Sequence, residues 1–428
     1  MTLNWFISKT VREATAMRKH VLKLLQHQRD ILSPKAITEV EASMKSIDDA
    51  VASNADKAAL EKKMEELEKA ANQWIKPYPN AAYRENFEVL LVALAVAMGI
   101  RTFFVQPFKI PTASMQPTLY GITSKNLLVE TDYHKPTGFG RVRDWFAGGS
   151  YVTYKADQDG TFDGISRPLR LLIFNIKQTI WFAGKPHTLW FVPDTGGGAP
   201  LQLGLFQTIG ASFQDLPPDP QGSDLEGRMG VRRGTFFHKG DEVLNMKIVS
   251  GDHLFIDRFT YNFRPPKRGD VVVFETRGIE KLPLDQQDTF YIKRLVGLGG
   301  ETLSLKQEYM VTDVPRVGDC PVGRLVVNGH ELSTATPGFE GLYSFSNPPR
   351  GTNVLVYKEN HYFGHAMMGY LAPGEDFTVQ PDNFFVMGDN TMNSLDSRFW
   401  GDFSQTKVIG KAFFVYWPVS DRFGWGYH

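Results

Sequence analysis

Between Phe87 and Phe108 the chain reads FEVLLVALAVAMGIRTFFVQPF, and this run constrains the rest of the molecule more than any other segment. Its charge-free part is Val89–Ile100, with Glu88 before it and Arg101 after it. A helix that crosses a bilayer needs about 20 mostly apolar residues, and charges at its ends can reach out to the interfaces. The run is therefore expected to be a transmembrane helix, with a buried core helix as the alternative. The first 30 residues lack the apolar core and small-residue cleavage site of a secretory signal peptide. Flanking charge barely orients the segment, since Lys69, Lys76 and Arg84 precede it and Lys109 and Lys125 follow it.

The two sides of this run differ in character. Residues 1–86 read as helical. Ser33-Pro34 is a helix start, with serine as cap and proline at the first position. Ile37, Val40, Met44, Ile47 and Val51 then follow in steps of three and four. After a break at Ser53-Asn54, Leu60, Met64, Leu67, Ala71 and Trp74 do the same. Two apolar seams separated by a break predict an antiparallel helical hairpin, with a coiled-coil dimer as the alternative. The Lys/Glu-rich remainder is a solvated face. Lys76-Pro77-Tyr78-Pro79-Asn80 should end the region.

Beyond about residue 109, short runs such as DVVVF, LFIDRF, RLVVNGHEL and AFFVYWP alternate with Gly, Pro and Asn. That punctuation predicts a mainly β domain. Residues 123–248 are expected to form a β-rich insert lobe with its own small core. Its Ala-Gly-Lys-Pro stretch fits a turn between two strands, and PDTGGGAP reads as a loop. Ile180, Trp181, Phe182, Leu189, Trp190 and Phe191 are an aromatic-rich set that could seat the lobe on a membrane surface.

Composition excludes several functions. Lys+Arg and Asp+Glu both number 47, so a nucleic acid is not the expected partner. The single cysteine, Cys320, permits neither an intramolecular disulfide nor a cysteine metal cluster, and no nearby histidine would activate it. His361 and His365 stand four apart without the HExxH pattern. The glycines of Gly297-Leu298-Gly299-Gly300 follow a strand but open no helix, so they read as a turn and not a nucleotide loop.

Four segments carry candidate chemistry: FKIPTASMQPTL (108–119), SGDHLFIDRFTYNFRPPKRGDVVVF (250–274), TFYIKRLVGLGGETL (289–303) and FFVMGDNTMNSLDSRFWG (384–401). Ser114 is a candidate nucleophile and needs a base, but its flanks do not form the G-x-S-x-G elbow. No Asp-His pair sits in a catalytic context, which leaves lysine. A lysine base must be neutral, and burial among apolar groups achieves that. On a strand, Lys293 shares a face with Tyr291 and Leu295, while Arg294 points the other way with Ile292 and Val296. Arg294 stays protonated and cannot serve as a base. The polar cluster Asp389, Asn390, Ser394, Asp396, Ser397 and Arg398 reads either as a turn held by side-chain bonds or as a shell that orients the lysine; a metal site lacks a ligand-loop pattern.

In this order, membrane segment, serine segment, Gly-Asp strand, lysine strand and Gly-Asp-Asn…Ser-x-Asp-Ser-Arg-x-Trp-Gly, the segments resemble those of bacterial type I signal peptidases. RLVVNGHEL (324–332) resembles that family's strand after the lysine. The likeness covers about residues 86–122 and 249–418. It implies Ser114 as nucleophile and Lys293 as base. It implies Ser394 as the hydroxyl that orients the lysine, and Thr112 as the hydroxyl that joins the Ser114 backbone N–H at the oxyanion. Asp389, Asp396 and Arg398 would form a structural network. It further implies a β-rich catalytic domain of 109–122 and 249–428 on the outer side of the bacterial cytoplasmic membrane, single-pass anchoring by 87–108, and cleavage of signal-peptide-bearing preproteins after small residues at −1 and −3 without a cofactor. Threonine at 112 is a mild change from the family's usual serine. The insert and the N-terminal helices are departures. The alternatives are a soluble Ser/Lys self-cleaving regulatory protease and an inactive membrane scaffold.

Overall fold

The computed structural model describes residues 8–75, 81–130, 133–171, 174–196, 201, 205–315, 317–344, 353–358 and 362–425. The expected break at 76–80, the GGAP part of the loop at 197–200, and His361 lie outside them. The chain divides into two compact units, Met1–Val96 and Ala97–His428.

The first unit holds three helices, α1 (Lys9–Gln28), α2 (Pro34–Ala52) and α3 (Lys57–Trp74), followed by most of α4 (Ala81–Phe103). Each of the first three begins with a side chain that accepts from a free backbone N–H: Ser8 from Val11, Ser33 from Ala36 and Asp56 from Ala59. The expected hairpin of α2 and α3 is present, but α1 completes it. Ala14, Val21 and Leu25 of α1 are buried with Val40, Met44 and Ile47 of α2 and Leu60 and Leu67 of α3. The two seams thus close on a third helix of the same chain.

Helix α4 keeps its apolar side chains exposed, Val89 by 63% and Phe103 by 65%. Among the described residues it is the one helix long and apolar enough to cross a membrane. It ends at Phe103, short of the 108 expected, because the chain turns directly into a strand.

That strand, β1 (Val105–Lys109), is the edge of a mainly antiparallel sheet. With β2 (His253–Asp257), β3 (Val271–Glu275), β4 (Phe290–Leu298), β5 (Asn383–Met387), β6 (Phe403–Ser404) and β7 (Val408–Trp417), the order is β1-β2-β7-β3-β4-β5-β6, and Gly424–Trp425 pairs beside β7. Along β4, Tyr291 and Leu295 enter one apolar cluster with Val272, Phe274, Val386 and Trp400. Ile292 and Val296 enter others. Only Arg294–Leu298 pairs with β5, so Phe290–Lys293 is paired through β3 alone within this sheet. A second sheet is built on the hairpin Thr302–Val314 and Gly318–Val327.

The insert leaves and returns on neighbouring strands: Thr123 pairs with Val249, and Gly149 pairs with Val249 from the other side. Its remaining strands include the hairpin Phe174–Phe182 and Lys185–Trp190, turned by Ala183 and Gly184, both at positive φ as a two-residue primed turn requires. The aromatic set expected on the surface is split by strand alternation. Ile180 and Phe182 are fully buried in the lobe's own core with Phe162, Ile165 and Met246. Trp181 is half-buried and donates to the Leu216 carbonyl at 2.8 Å. Trp190 and Phe191 are the strongly exposed pair, at 54% and 71%.

Candidate functional site

Ser114 lies in the turn that follows β1 and is 7% exposed. Two strands brace this turn. The Ile110 N–H donates to the Asp252 carbonyl at 2.8 Å. The Asp252 carboxylate is fully buried, accepts from the Tyr120 N–H at 2.7 Å and pairs with Arg422. On the other side, the Asn390 N–H donates to the Ser114 carbonyl at 3.0 Å, and the Asn390 amide donates to the Ala113 carbonyl at 3.2 Å. Asn390 therefore fixes the serine turn through backbone atoms, a part its sequence context did not single out.

Lys293 Nζ stands 2.7 Å from Ser114 Oγ. The lysine is 5% exposed and lies on the Tyr291 face of β4, with its ammonium position 5.4 Å from the Tyr291 ring centre. Burial pushes its pKa down to about 8, against the opposing pull of the Asp396 and Asp389 carboxylates. Thr112 Oγ1 lies 3.5 Å from Ser114 Oγ. Ser394 lines the same groove, and its buried hydroxyl has no hydrogen-bond partner among the described residues.

Two buried ion pairs frame these groups. Arg294 and Asp389, each 1% exposed, meet through two parallel bonds of 2.8 and 2.7 Å, and Arg294 also donates to Thr118 and to the Gly269 and Gly338 carbonyls. Arg294 is the residue that sequence reasoning missed here. A guanidinium on the Ile292 and Val296 face had to find a carboxylate, and that was the available signal. Asp396 and Arg398 form the second pair at 2.8 Å with no exposure. Asp396 also accepts from the Gly388 N–H at 3.0 Å, and Arg398 donates to the Ala366, Thr391 and Ser394 carbonyls. The two pairs lock the segment carrying Ser394 against β4 and β5.

The serine and lysine open onto a groove of about 1150 Å³. One wall is Phe108, Lys109 and Pro111 to Ser114, the other is Thr289–Lys293, and Val314 and Val317 at the tip of the long hairpin border it. Cys320 is buried in the second sheet, where burial raises its thiol pKa, and it does not line this groove.

A buried amine thus stands against a serine hydroxyl in a groove of a β scaffold. The family model for signal peptidase, peptidase S26, matches residues 83–145 and 234–417, more than half of the chain, and the chain belongs to that family. The stretch between the two matched parts, 146–233, falls inside the insert. A signal peptidase I of Leptolyngbya laminosa is 30% identical over 169 residues, which cover 40% of this chain and 62% of that protein. A signal peptidase I of Pseudomonas aeruginosa is 30% identical over 198 residues, 39% of this chain and 60% of that protein. The chain thus spans about three fifths of the length of these relatives. A solved signal peptidase I from Enterococcus faecalis V583 matches at 24% identity over 35% of this chain and 97% of its own, with a TM-score of 0.22, too low to carry an argument.

Proposed function

We propose that this protein is a membrane-anchored endopeptidase that removes signal peptides from exported preproteins by a serine–lysine mechanism. The observation that carries the reading is the 2.7 Å approach of Lys293 Nζ to Ser114 Oγ in a buried setting. Neutral Lys293 takes the Ser114 proton as Oγ attacks the scissile carbonyl. The Ser114 N–H and Thr112 hydroxyl stabilise the oxyanion. The lysine ammonium then gives its proton to the leaving amine, and the acyl group stays on Ser114. Lys293 next takes a proton from the water that attacks the ester, and returns it to Ser114 Oγ as the acid product leaves. Ser394 is the hydroxyl expected to orient the amine, and it makes no hydrogen bond to Lys293 in the resting site. The substrate lies extended between β1 and the Phe290–Lys293 edge of β4, adding a strand. Small residues at −1 and −3 are the expected preference.

Helix α4 is the anchor in this reading, with residues 1–86 in the cytoplasm and the β domain outside. Protease added to spheroplasts should digest the C-terminal part and spare the helices; the reverse pattern would refute the orientation. The activity itself is tested by incubating the purified protein with a precursor carrying an Ala-x-Ala site, beside a Ser114→Ala control. Cleavage that survives in the control, or no cleavage by the intact protein, sinks the assignment.

A further inference from the structure

Lys109 ends β1 and lines the groove five positions before Ser114. Its neighbours on that wall, Phe108, Pro111 and Ala113, are apolar, so Lys109 is the cation of the serine side. Its ammonium is held by the insert: Lys109 Nζ lies 2.8 Å from Asp194 Oδ2. Asp194 falls in the stretch that the family model leaves unmatched.

The residues on either side of Asp194 are anchored. Val192 is buried in the lobe's core, and Thr195 is also buried. Asp194 Oδ1 accepts from the Gly196 N–H at 3.0 Å and lies 3.5 Å from Arg170. Gly196 has φ +84° and rests on the serine segment. A β-carbon there would stand 3.0 Å from the Pro111 carbonyl oxygen and 3.1 Å from Ile122 Cδ1. The lobe therefore touches the groove wall by backbone packing and by an ion pair at once.

We infer that Asp194 is a specificity-determining residue supplied by the insert: by holding Lys109 through Oδ2, while its Oδ1 lies against Arg170 outside the groove, it keeps the Lys109 ammonium from pairing with the substrate. With Asp194 in place the groove does not favour acidic side chains near the cleaved bond. Without it, the Lys109 ammonium is free to pair with a substrate carboxylate. The inference rests on the endopeptidase reading for its substrate and on the Lys109–Asp194 geometry for its cause.

The test uses the full-length protein and a series of peptides with one Ala-x-Ala site, each carrying Gln or Glu at one position flanking the cleaved bond. Asp194→Asn should shift the Glu-to-Gln ratio of kcat/KM upward at one or more positions by about threefold to fivefold, the size of an exposed ion pair, and through KM. The double variant Lys109→Met/Asp194→Asn should return the ratio to the wild-type value. A parallel fall for both peptides through kcat, or a shifted ratio that Lys109→Met fails to reverse in the Asp194→Asn background, would reduce Asp194 to a structural residue and overturn the inference. A second readout needs no cleavage. Acetylation of Lys109 by an activated ester, followed by mass mapping, should be several-fold faster in Asp194→Asn than in wild type. Equal rates overturn the pinning. Wild-type protein that cleaves no peptide would fail the endopeptidase reading while this labelling still decides the role of Asp194.

Discussion

Gly388 lies directly against Ser114: a β-carbon on Gly388 would stand 2.5 Å from the Ser114 carbonyl oxygen and 2.3 Å from Ser394 Oγ. The backbone of the Gly-Asp-Asn segment thus reaches the serine turn at a distance that no side chain permits, and Asn390 can donate to the same carbonyl only because of it. Gly388→Ala should cost about 1–3 kcal/mol of stability, as overpacking typically does, and should lower kcat at least about tenfold by displacing Ser114. Thermal unfolding and steady-state cleavage of a soluble peptide check both; an unchanged kcat would mean the turn tolerates the shift.

The buried amine sets a pH profile. With the Lys293 pKa near 8, kcat/KM should climb about tenfold per pH unit below that value and level above it. Stability follows the same group with a definite sign. The unfolded lysine holds its proton up to about 10.5, while the folded one releases it at about 8. Between these values the unfolded chain binds more protons, so the group's contribution to stability rises with pH through that window, and burying it costs most below pH 8. Lys293→Met should therefore abolish cleavage and raise Tm more at pH 7 than at pH 10, to about the extent that the linkage allows. A cleavage profile already flat at about pH 6 would contradict a lysine base.

Thr112 is tested by Thr112→Val, which keeps the shape and removes the hydroxyl. Loss of one oxyanion donor typically costs about 10²–10³ in kcat. Thr112→Ser should retain activity. If valine leaves kcat untouched, the 3.5 Å approach of Thr112 to Ser114 is packing alone.

Asp389 compensates a guanidinium with almost no contact with water. Asp389→Ala should destabilise the protein by about 3–5 kcal/mol, because it leaves Arg294 charged and unpaired. Removing both charges in Arg294→Met/Asp389→Leu should cost less than the single change. Denaturant unfolding measures the difference, and a double variant weaker than Asp389→Ala would show that Arg294 is held mainly by its carbonyl partners.

Much of the site was readable because strand periodicity is strict. Alternation along Phe290–Leu298 put Lys293 among Tyr291 and Leu295, and the structure keeps it there. The same rule carried through to Arg294 would have demanded a buried carboxylate, but Asp389 stands 95 positions away and sequence distance hides the pairing. Alternation also separates Ile180 and Phe182 from Trp181, so a count of aromatics overstated the exposed set. Helix α1 was legible in principle, since its buried Ala14, Val21, Leu25 and Gln28 are spaced by seven, four and three. The Lys109–Asp194 contact had no local signal at all. It joins residues 85 apart, and only the packing of the lobe brings them together.

The adjoining ends of the insert bear on how the site comes to exist. Ser114 and Lys293 are 179 positions apart, a long loop to close in an unfolded chain. Once Thr123 has paired with Val249, the path between the serine and the lysine shortens to about 53 positions. The logarithmic closure cost then falls by about 1 kcal/mol. A lobe with its own core that closed ahead of the strands around it would act as a clasp, delivering the lysine strand to a serine synthesised long before it.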